Sequence, residues 1–342
     1  MNSSPKVCSI SNFIVKNFHN LRRIPKLTSM PLIVGISGPQ GCGKTTLVSQ
    51  IVQHLKNSNN LSVVGCSIDD FYLTFKEQCQ LALSNPGNKL LEFRGEPGTH
   101  DIALGKEVLS RLCKVHEIYF QKKGLLNNLK DGDANHLNES NDADVDDVLI
   151  PFYDKSLNNG RGDRAEVDKW IKVSPPFEII LFEGWSLGFK NLSKSQLEKI
   201  YFSSKSFTTE HNYSALKLIS HSLSHLSSIN GNLQIYEKEW YKFLDIFVHI
   251  DAQDINYVYQ WRLEQERNMR NLGKGGMTDE QVIDFIDRYM PAYELYLPKL
   301  RNQNFFCENE DEVECKDHEQ HYRRHLKVVL DNKRELINVI LM

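Results

Sequence analysis

The stretch Gly38-Pro39-Gln40-Gly41-Cys42-Gly43-Lys44-Thr45 matches G-x-x-x-x-G-K-[ST] at every fixed position. Each fixed residue type answers a need of phosphate binding. Glycines let backbone N–H groups converge on phosphate oxygens without side-chain clash. A helix starting at the lysine adds positive potential. Lys44 is placed to reach β- and γ-phosphates and to act in transfer, and Thr45 to ligate Mg²⁺. With Thr46, these residues form the expected site for ATP and Mg²⁺.

A phosphate loop alone does not separate a small-molecule kinase from a GTPase or a motor. Two acidic sites add to it. Ser67-Ile68-Asp69-Asp70-Phe71-Tyr72 ends a short apolar run. Carboxylates there face the crevice outside the C-terminal ends of the strands, where such folds bind ligands. One of them can accept the proton of a substrate hydroxyl. A helix cap or a turn would use the same residues. The second site is Ile179-Ile180-Leu181-Phe182-Glu183-Gly184-Trp185. An apolar strand ending in an acid is Walker-B-like, and Glu183 would hold Mg²⁺ directly or through water. No N-K-x-D guanine-specificity motif is present.

Transfer also needs cations around the phosphoryl group and the acceptor. Two loop-like clusters supply them: Arg94-Gly95-Glu96-Pro97-Gly98-Thr99-His100-Asp101, and Tyr153-Asp154-Lys155-Ser156 with Arg161-Gly162-Asp163-Arg164. Arg262 follows Trp261 on a predicted helix and is placed to fold over the nucleotide as a lid. The usual fate of an arginine is a surface ion pair. Glycine neighbours at Arg94, Arg161 and Arg164 favour a ligand role, because ligand loops need close backbone approach.

Residues 31–37 and 63–68, 177–182 and 244–250 read as strands apolar along their whole length. Residues 45–55 between them have helical spacing, as do 253–271 and 278–289 beyond. This pattern predicts a three-layer α/β/α fold with a mostly parallel, doubly wound sheet of about five strands. Residues 326–330 and 336–341 suit a terminal hairpin. Residues 31–342 are expected to form one domain. Two segments look inserted. The stretch 127–147 holds seven acidic residues against one lysine and reads as a solvated, disordered loop. The stretch 203–232, rich in Ser, His and Asn, reads as a surface excursion. His221 and His225 within it have i,i+4 spacing but no nearby acidic or cysteine partner to complete a metal site.

The 342 residues are 40% apolar and carry a net charge of −3, so there is no basic footprint for nucleic acid. No apolar run approaches the roughly 18 residues a membrane helix needs. The seven scattered cysteines form no CxxC pair, which suits reduced thiols and a cytoplasmic location, with the nucleus also open. Residues 1–30 lack Asp and Glu but carry five Lys and Arg. That composition suits a mitochondrial transit peptide or a basic helix packed on the domain, and the helix is the favoured reading. A monomer acting on a small molecule is expected.

Taken in order, the motifs GPQGCGKTT, SIDDFYLT, NPGNKLLEFRGEPGTHD, PFYDKSLNNGRGDR, LFEGWSLGF, VYQWRLEQE and GMTDEQVIDFIDRYMPAY resemble the D-glycerate 3-kinase family, including its fungal ATP-dependent kinase-like branch. Their order holds from about Pro31 to Leu300. More distantly the chain resembles uridine kinase, pantothenate kinase and phosphoribulokinase. The resemblance implies that ATP and D-glycerate give ADP and 3-phospho-D-glycerate. It implies that Asp69 activates the acceptor hydroxyl, with a metal role also open to it, and that Asp70 ranks second. It puts Glu183 at the Mg²⁺-linked acid and Arg262 near the lid arginines. Tyr153 and His100 fall in the acceptor region, and Tyr72 is grouped with them. Arg94, Arg161 and Arg164 are the candidates for the acceptor carboxylate, which suits a bidentate guanidinium. Other hydroxylated acceptors (a nucleoside, pantothenate or a sugar acid) and a non-catalytic nucleotide-binding regulator are the competing readings.

Overall fold

The computed structural model describes residues 4–24, 29–130, 145–211, 216–273, 276–307 and 324–342. The acidic stretch read as a disordered loop lies largely outside them, at 131–144. The central sheet has six strands. β1 (Leu32–Ser37) lies near its middle, between β7 (Ile179–Gly184) and β8 (Ile246–Ala252). β2 (Val63–Ser67) forms one edge beyond β7. β9 (His325–Leu330) and β10 (Leu336–Leu341) complete the other side, and only the β9–β10 pair is antiparallel. The terminal hairpin therefore extends the sheet.

Both faces are covered, which is why these strands lack alternating polar residues. Ile33, Ile180 and Phe182 face one apolar cluster, and Leu32, Val34, Ile36, Ile179 and Leu181 face the other. Over the second face lie α1 (Pro5–Arg22) and α2 (Lys44–Asn59). The basic N-terminal segment is a packed helix: Val7, Ile10, Phe13, Ile14 and Phe18 are buried, while its lysines and arginines lie among the remaining positions. Burial of Ile10 and Ile14 contributes about 1.5–3 kcal/mol each.

The first face carries α4 (Ile102–Lys130), α5 (Lys194–His211), α6 (Leu223–Glu239), α8 (Asp279–Asp287) and α9 (Met290–Asn302), with α7 (Tyr257–Asn271) leading into α8. α8 starts in a capping box between Thr278 and Gln281, with Asp279 and Glu280 in its first turn. The segment 203–232 corrects the surface reading. Its described part is mostly helical, and Leu226 and Ile229 within it, with Leu233 and Tyr236 just beyond it on the same helix, are buried at helical spacing. Asn230 accepts from Leu192 N–H at 2.8 Å and donates to Leu192 C=O at 2.8 Å, which docks α6 on the chain after β7. His221 lies just before α6 and His225 in its first turn, and the described residues contain no cluster of three metal-ligating side chains.

Between β2 and β7 the chain builds the wall of the site. It comprises α3 (Phe75–Ser84), a two-stranded sheet of β3 (Val148–Ile150) and β6 (Ile171–Val173), and a hairpin of β4 (Tyr153–Asp154) and β5 (Asp163–Arg164).

Glu96 is buried in this region without a hydrogen-bond partner at either carboxyl oxygen. Burial pushes its pKa well above the ordinary value, so the folded protein holds a proton that the unfolded chain loses at the ordinary glutamate pKa of about 4.3. The folded state thus binds more protons, and stability falls as pH rises from the unfolded pKa through the folded one. Glu96→Gln removes that slope. The variant is expected to gain on the parent by up to about 1.4 kcal/mol per pH unit above the unfolded pKa. Urea unfolding over a pH series checks this, and parallel curves for the two proteins would refute a protonated Glu96.

Candidate active site

Three adjacent strands deliver the chemical groups. Ile36 of β1 and Ser67 of β2 both pair with Glu183 of β7, so the loops after β1 and β2 open beside the Glu183 carboxylate. Gly41 and Gly43 adopt left-handed backbone, φ 76° and 82°. A Cβ on Gly41 would stand 2.7 Å from Trp261 Cβ, whereas one on Gly43 would meet nothing within 4 Å. The loop is thus packed behind and open in front, as a phosphate cradle requires. Lys44 Nζ lies 3.4 Å from Glu183 Oε2, both largely buried. Burial works against the Lys44 charge, but Glu183, Cys42 and Asp69 outweigh it and raise the pKa. Cys42 is buried, and burial pushes its thiol pKa up. Thr45 and Thr46 are exposed in the first turn of α2.

The turn at 68–71 separates the two aspartates. Ser67 Oγ accepts from Asp69 N–H at 3.2 Å, and Asp70 Oδ2 accepts from Ser67 N–H at 3.3 Å. This capping box turns Asp70 back onto the chain, and burial, with the neighbouring Asp69 charge adding, pushes its pKa up to about 6. Asp69 is presented instead. Its Oδ2 lies 2.5 Å from Lys155 Nζ. Burial alone would raise the Asp69 pKa, but Lys155, Lys44 and His100 outweigh it and hold the carboxyl far below its usual range.

Around Asp69 stand the aromatic candidates. Tyr72 stacks on His100 with ring centroids 4.3 Å apart and meets Tyr153 edge-on at 5.3 Å. Burial, then the Asp69 charge, raises the Tyr72 pKa. The Tyr236 hydroxyl accepts from Gly98 N–H and lies 2.6 Å from His100 Nδ1, within hydrogen-bond reach of it. Burial lowers the His100 pKa to about 4, so the ring is neutral at pH 7.

The arginines contact the protein itself. Arg94 Nη1 donates to the carbonyls of Gly160 and Arg161 and pins the β4–β5 loop. Arg161 lies over the Phe75 and Phe93 rings. Arg164 donates to Tyr72 C=O and pairs with Asp101 at 3.1 Å. Arg262 has its backbone against Gly41, but its guanidinium pairs with Glu266 at 2.6 Å and covers the Phe285 ring.

Two loop supports escaped the sequence reading. Tyr293 of α9 donates its hydroxyl to Gln40 Oε1 at 2.7 Å and accepts from Gln40 N–H at 3.1 Å. Arg334, in the β9–β10 turn, donates to Gly41 C=O at 2.8 Å and pairs with Glu264 at 2.8 Å. Arg334→Ala is expected to raise the KM for ATP about three- to tenfold with little change in kcat, through loss of a charge-assisted bond to the loop. Steady-state kinetics at saturating acceptor measures this, and an unaltered KM would show that the loop holds without it.

The donor set suits Mg²⁺. That ion takes one or two carboxylates and completes its shell with phosphate oxygens and water, so Glu183 and Thr45 suffice without a three-acid cage.

No family model matches the chain. Similar proteins are found by sequence and by structure. The chain is 40% identical over 270 residues to the chloroplastic D-glycerate 3-kinase of Arabidopsis thaliana, covering 79% of this chain and 48% of that one. It thus spans about half the length of that relative. It is 35% identical over 272 residues to a protein of Saccharomyces cerevisiae described as a probable ATP-dependent kinase, covering 78% of each. The structure of D-glycerate 3-kinase from Cryptococcus neoformans superposes with a TM-score of 0.77 at 31% identity, over 99% of this chain and 100% of that one. The chain belongs to the D-glycerate 3-kinase family. It is an ATP-dependent P-loop phosphotransferase acting on an alcohol group, and its fold is the three-layer α/β/α arrangement expected. Among the described residues of this kinase, no helix is long and apolar enough to cross a membrane.

Proposed function

We propose that the kinase transfers the γ-phosphoryl group of ATP to the 3-hydroxyl of D-glycerate. The observation that carries the proposal is the Asp69 carboxylate, presented beside Lys44 and Lys155 where β2 ends. A base flanked by cations suits an acceptor that carries both a hydroxyl and a negative charge. The similarity to D-glycerate 3-kinases supports the same substrate.

In this reading the backbone of Gly38, Pro39, Gln40, Gly41, Cys42 and Gly43 cradles the phosphates, with Thr46 in the turn behind. Lys44 neutralises the β- and γ-phosphates. Thr45 and Glu183 would hold Mg²⁺, with Asp69 available to it, and a bound ion would supply positive charge to the phosphate oxygens. Asp69 takes the proton of the acceptor hydroxyl as that oxygen forms its bond to phosphorus and ADP leaves with the electrons of the broken bond. Tyr72, His100 and Tyr153 shape the acceptor wall. Arg94, Arg161 and Arg164 hold that wall in place and add positive potential. Arg262, whose backbone lies against Gly41, is the candidate to cover the nucleotide. We read residues 31–342 as one catalytic domain with α1 packed on it. The free thiols of Cys42, Cys66, Cys79 and Cys113 support a reducing compartment such as the cytoplasm.

A panel of acceptors read by ADP release tests the substrate. D-glycerate is expected to give the highest kcat/KM among D-glycerate, glycerol, uridine, pantothenate and gluconate. A higher value for any other member would move the assignment to that compound.

A further inference from the structure

We propose that Lys155 receives the acceptor's carboxylate, and that Asp69 Oδ2 is freed for the acceptor hydroxyl only when Lys155 changes partner. The proposal rests on the reading of the site as a kinase for a hydroxy acid.

The three arginines best suited by sequence are tied to other work. Arg94 pins two carbonyls, Arg164 pairs with Asp101, and Arg161 lies over two phenylalanine rings. Lys155 is the cation that touches the acceptor-facing acid, at 2.5 Å from Asp69 Oδ2. Its backbone is fixed: Asp154 Oδ1 accepts from Ser156 N–H at 2.9 Å and Oγ at 2.6 Å, and the β4–β5 pairing holds the strand before it. Its side chain is 56% exposed, against 27% for Asp69. A flexible four-carbon stem on a rigid turn can swing its ammonium without moving the wall.

The ammonium stands where an acceptor hydroxyl must come to reach Oδ2. The Lys155 side is more than half exposed, so its ammonium stays in reach of water and of an incoming anion while it changes partner. A carboxylate on the acceptor offers Lys155 an equivalent partner, so the exchange is balanced and the hydroxyl takes the vacated position. A neutral polyol offers no such partner and leaves the lysine on Asp69. The same contact therefore binds the acid and rejects its uncharged analogue.

The test uses the full chain, with Lys155→Met and Lys155→Arg, and steady-state kinetics on D-glycerate and glycerol. Calorimetric ATP binding by each variant reports that it is folded. Lys155→Met is expected to raise the KM for D-glycerate roughly tenfold or more, leave the KM for ATP unaltered, and narrow the glycerate-to-glycerol ratio of kcat/KM by a similar factor. Lys155→Arg is expected to restore most of the KM. A Met variant with the parental KM and ratio would overturn the proposal, as would one that loses both acceptors in proportion. A parent protein inert toward D-glycerate would remove the reading beneath the proposal as well, and the unmutated arm alone reports that.

Discussion

Lys44→Ala is expected to lower turnover by roughly 10²- to 10³-fold, the range found when one preorganised charge-stabilising group is removed. The lysine has two partners in succession. In the structure it neutralises Glu183 across 3.4 Å. With nucleotide bound, the same ammonium turns to the phosphates, where negative charge shifts during transfer. The truncation also strands Glu183, only 8% exposed, without its counter-ion, so the variant should be less stable as well as less active. Circular dichroism at the assay temperature separates the two effects. Parental turnover by folded Lys44→Ala would contradict the assignment of the loop.

Asp69→Asn is expected to lower turnover by about 10²- to 10⁴-fold while ATP binding survives. The amide keeps the shape of the carboxylate but cannot take a proton. The 68–71 turn is fixed by Ser67 and Asp70, so it should persist in the variant. Single-turnover kinetics with ATP in excess isolates the chemical step. An unchanged rate would remove Asp69 from the role of base. Asp70→Ala provides the contrast: the Asp70 carboxylate accepts from Ser67 N–H, so its loss should act on stability before it acts on the chemical step.

The phosphate loop was legible because it is local. Strand, glycine turn and helix are contiguous, and each glycine has a reason within its own few residues. The buried strands were legible because a sheet covered on both faces needs apolar residues throughout. What supports the loop was not. Arg334 reaches Gly41 across 293 positions of sequence, and Tyr293 reaches Gln40 across 253. No spacing rule links such residues. Lys155 was visible as one basic residue in a cluster, but its contact with Asp69 spans 86 positions and depends on where the β4–β5 hairpin folds. Glycine neighbours drew attention to the arginines, yet those glycines serve the close packing of the wall. Gly162, for one, sits against the Tyr153 ring and Arg94. The segment 203–232 was misread for another reason. Its Ser, His and Asn content suggested a loop, while Leu226, Ile229, Leu233 and Tyr236 carried the helical period that governs α6.

Asp69 and Glu183 are singled out by position: each ends an apolar run, and parallel strands end at the ligand crevice. The distinction between Asp69 and Asp70 came from resemblance in the sequence and has a physical basis in the structure. A capping box needs a side-chain acceptor at its third position, and Asp70 supplies it.

The most direct measurement incubates the purified chain with Mg·ATP and D-glycerate and identifies the phosphorylated product by phosphorus NMR, with Lys44→Ala alongside. The account predicts 3-phospho-D-glycerate from the parent protein and roughly 10²- to 10³-fold less from the variant over the same incubation. A phosphorylated product at another hydroxyl, or no product from a chain that binds ATP, would contradict it.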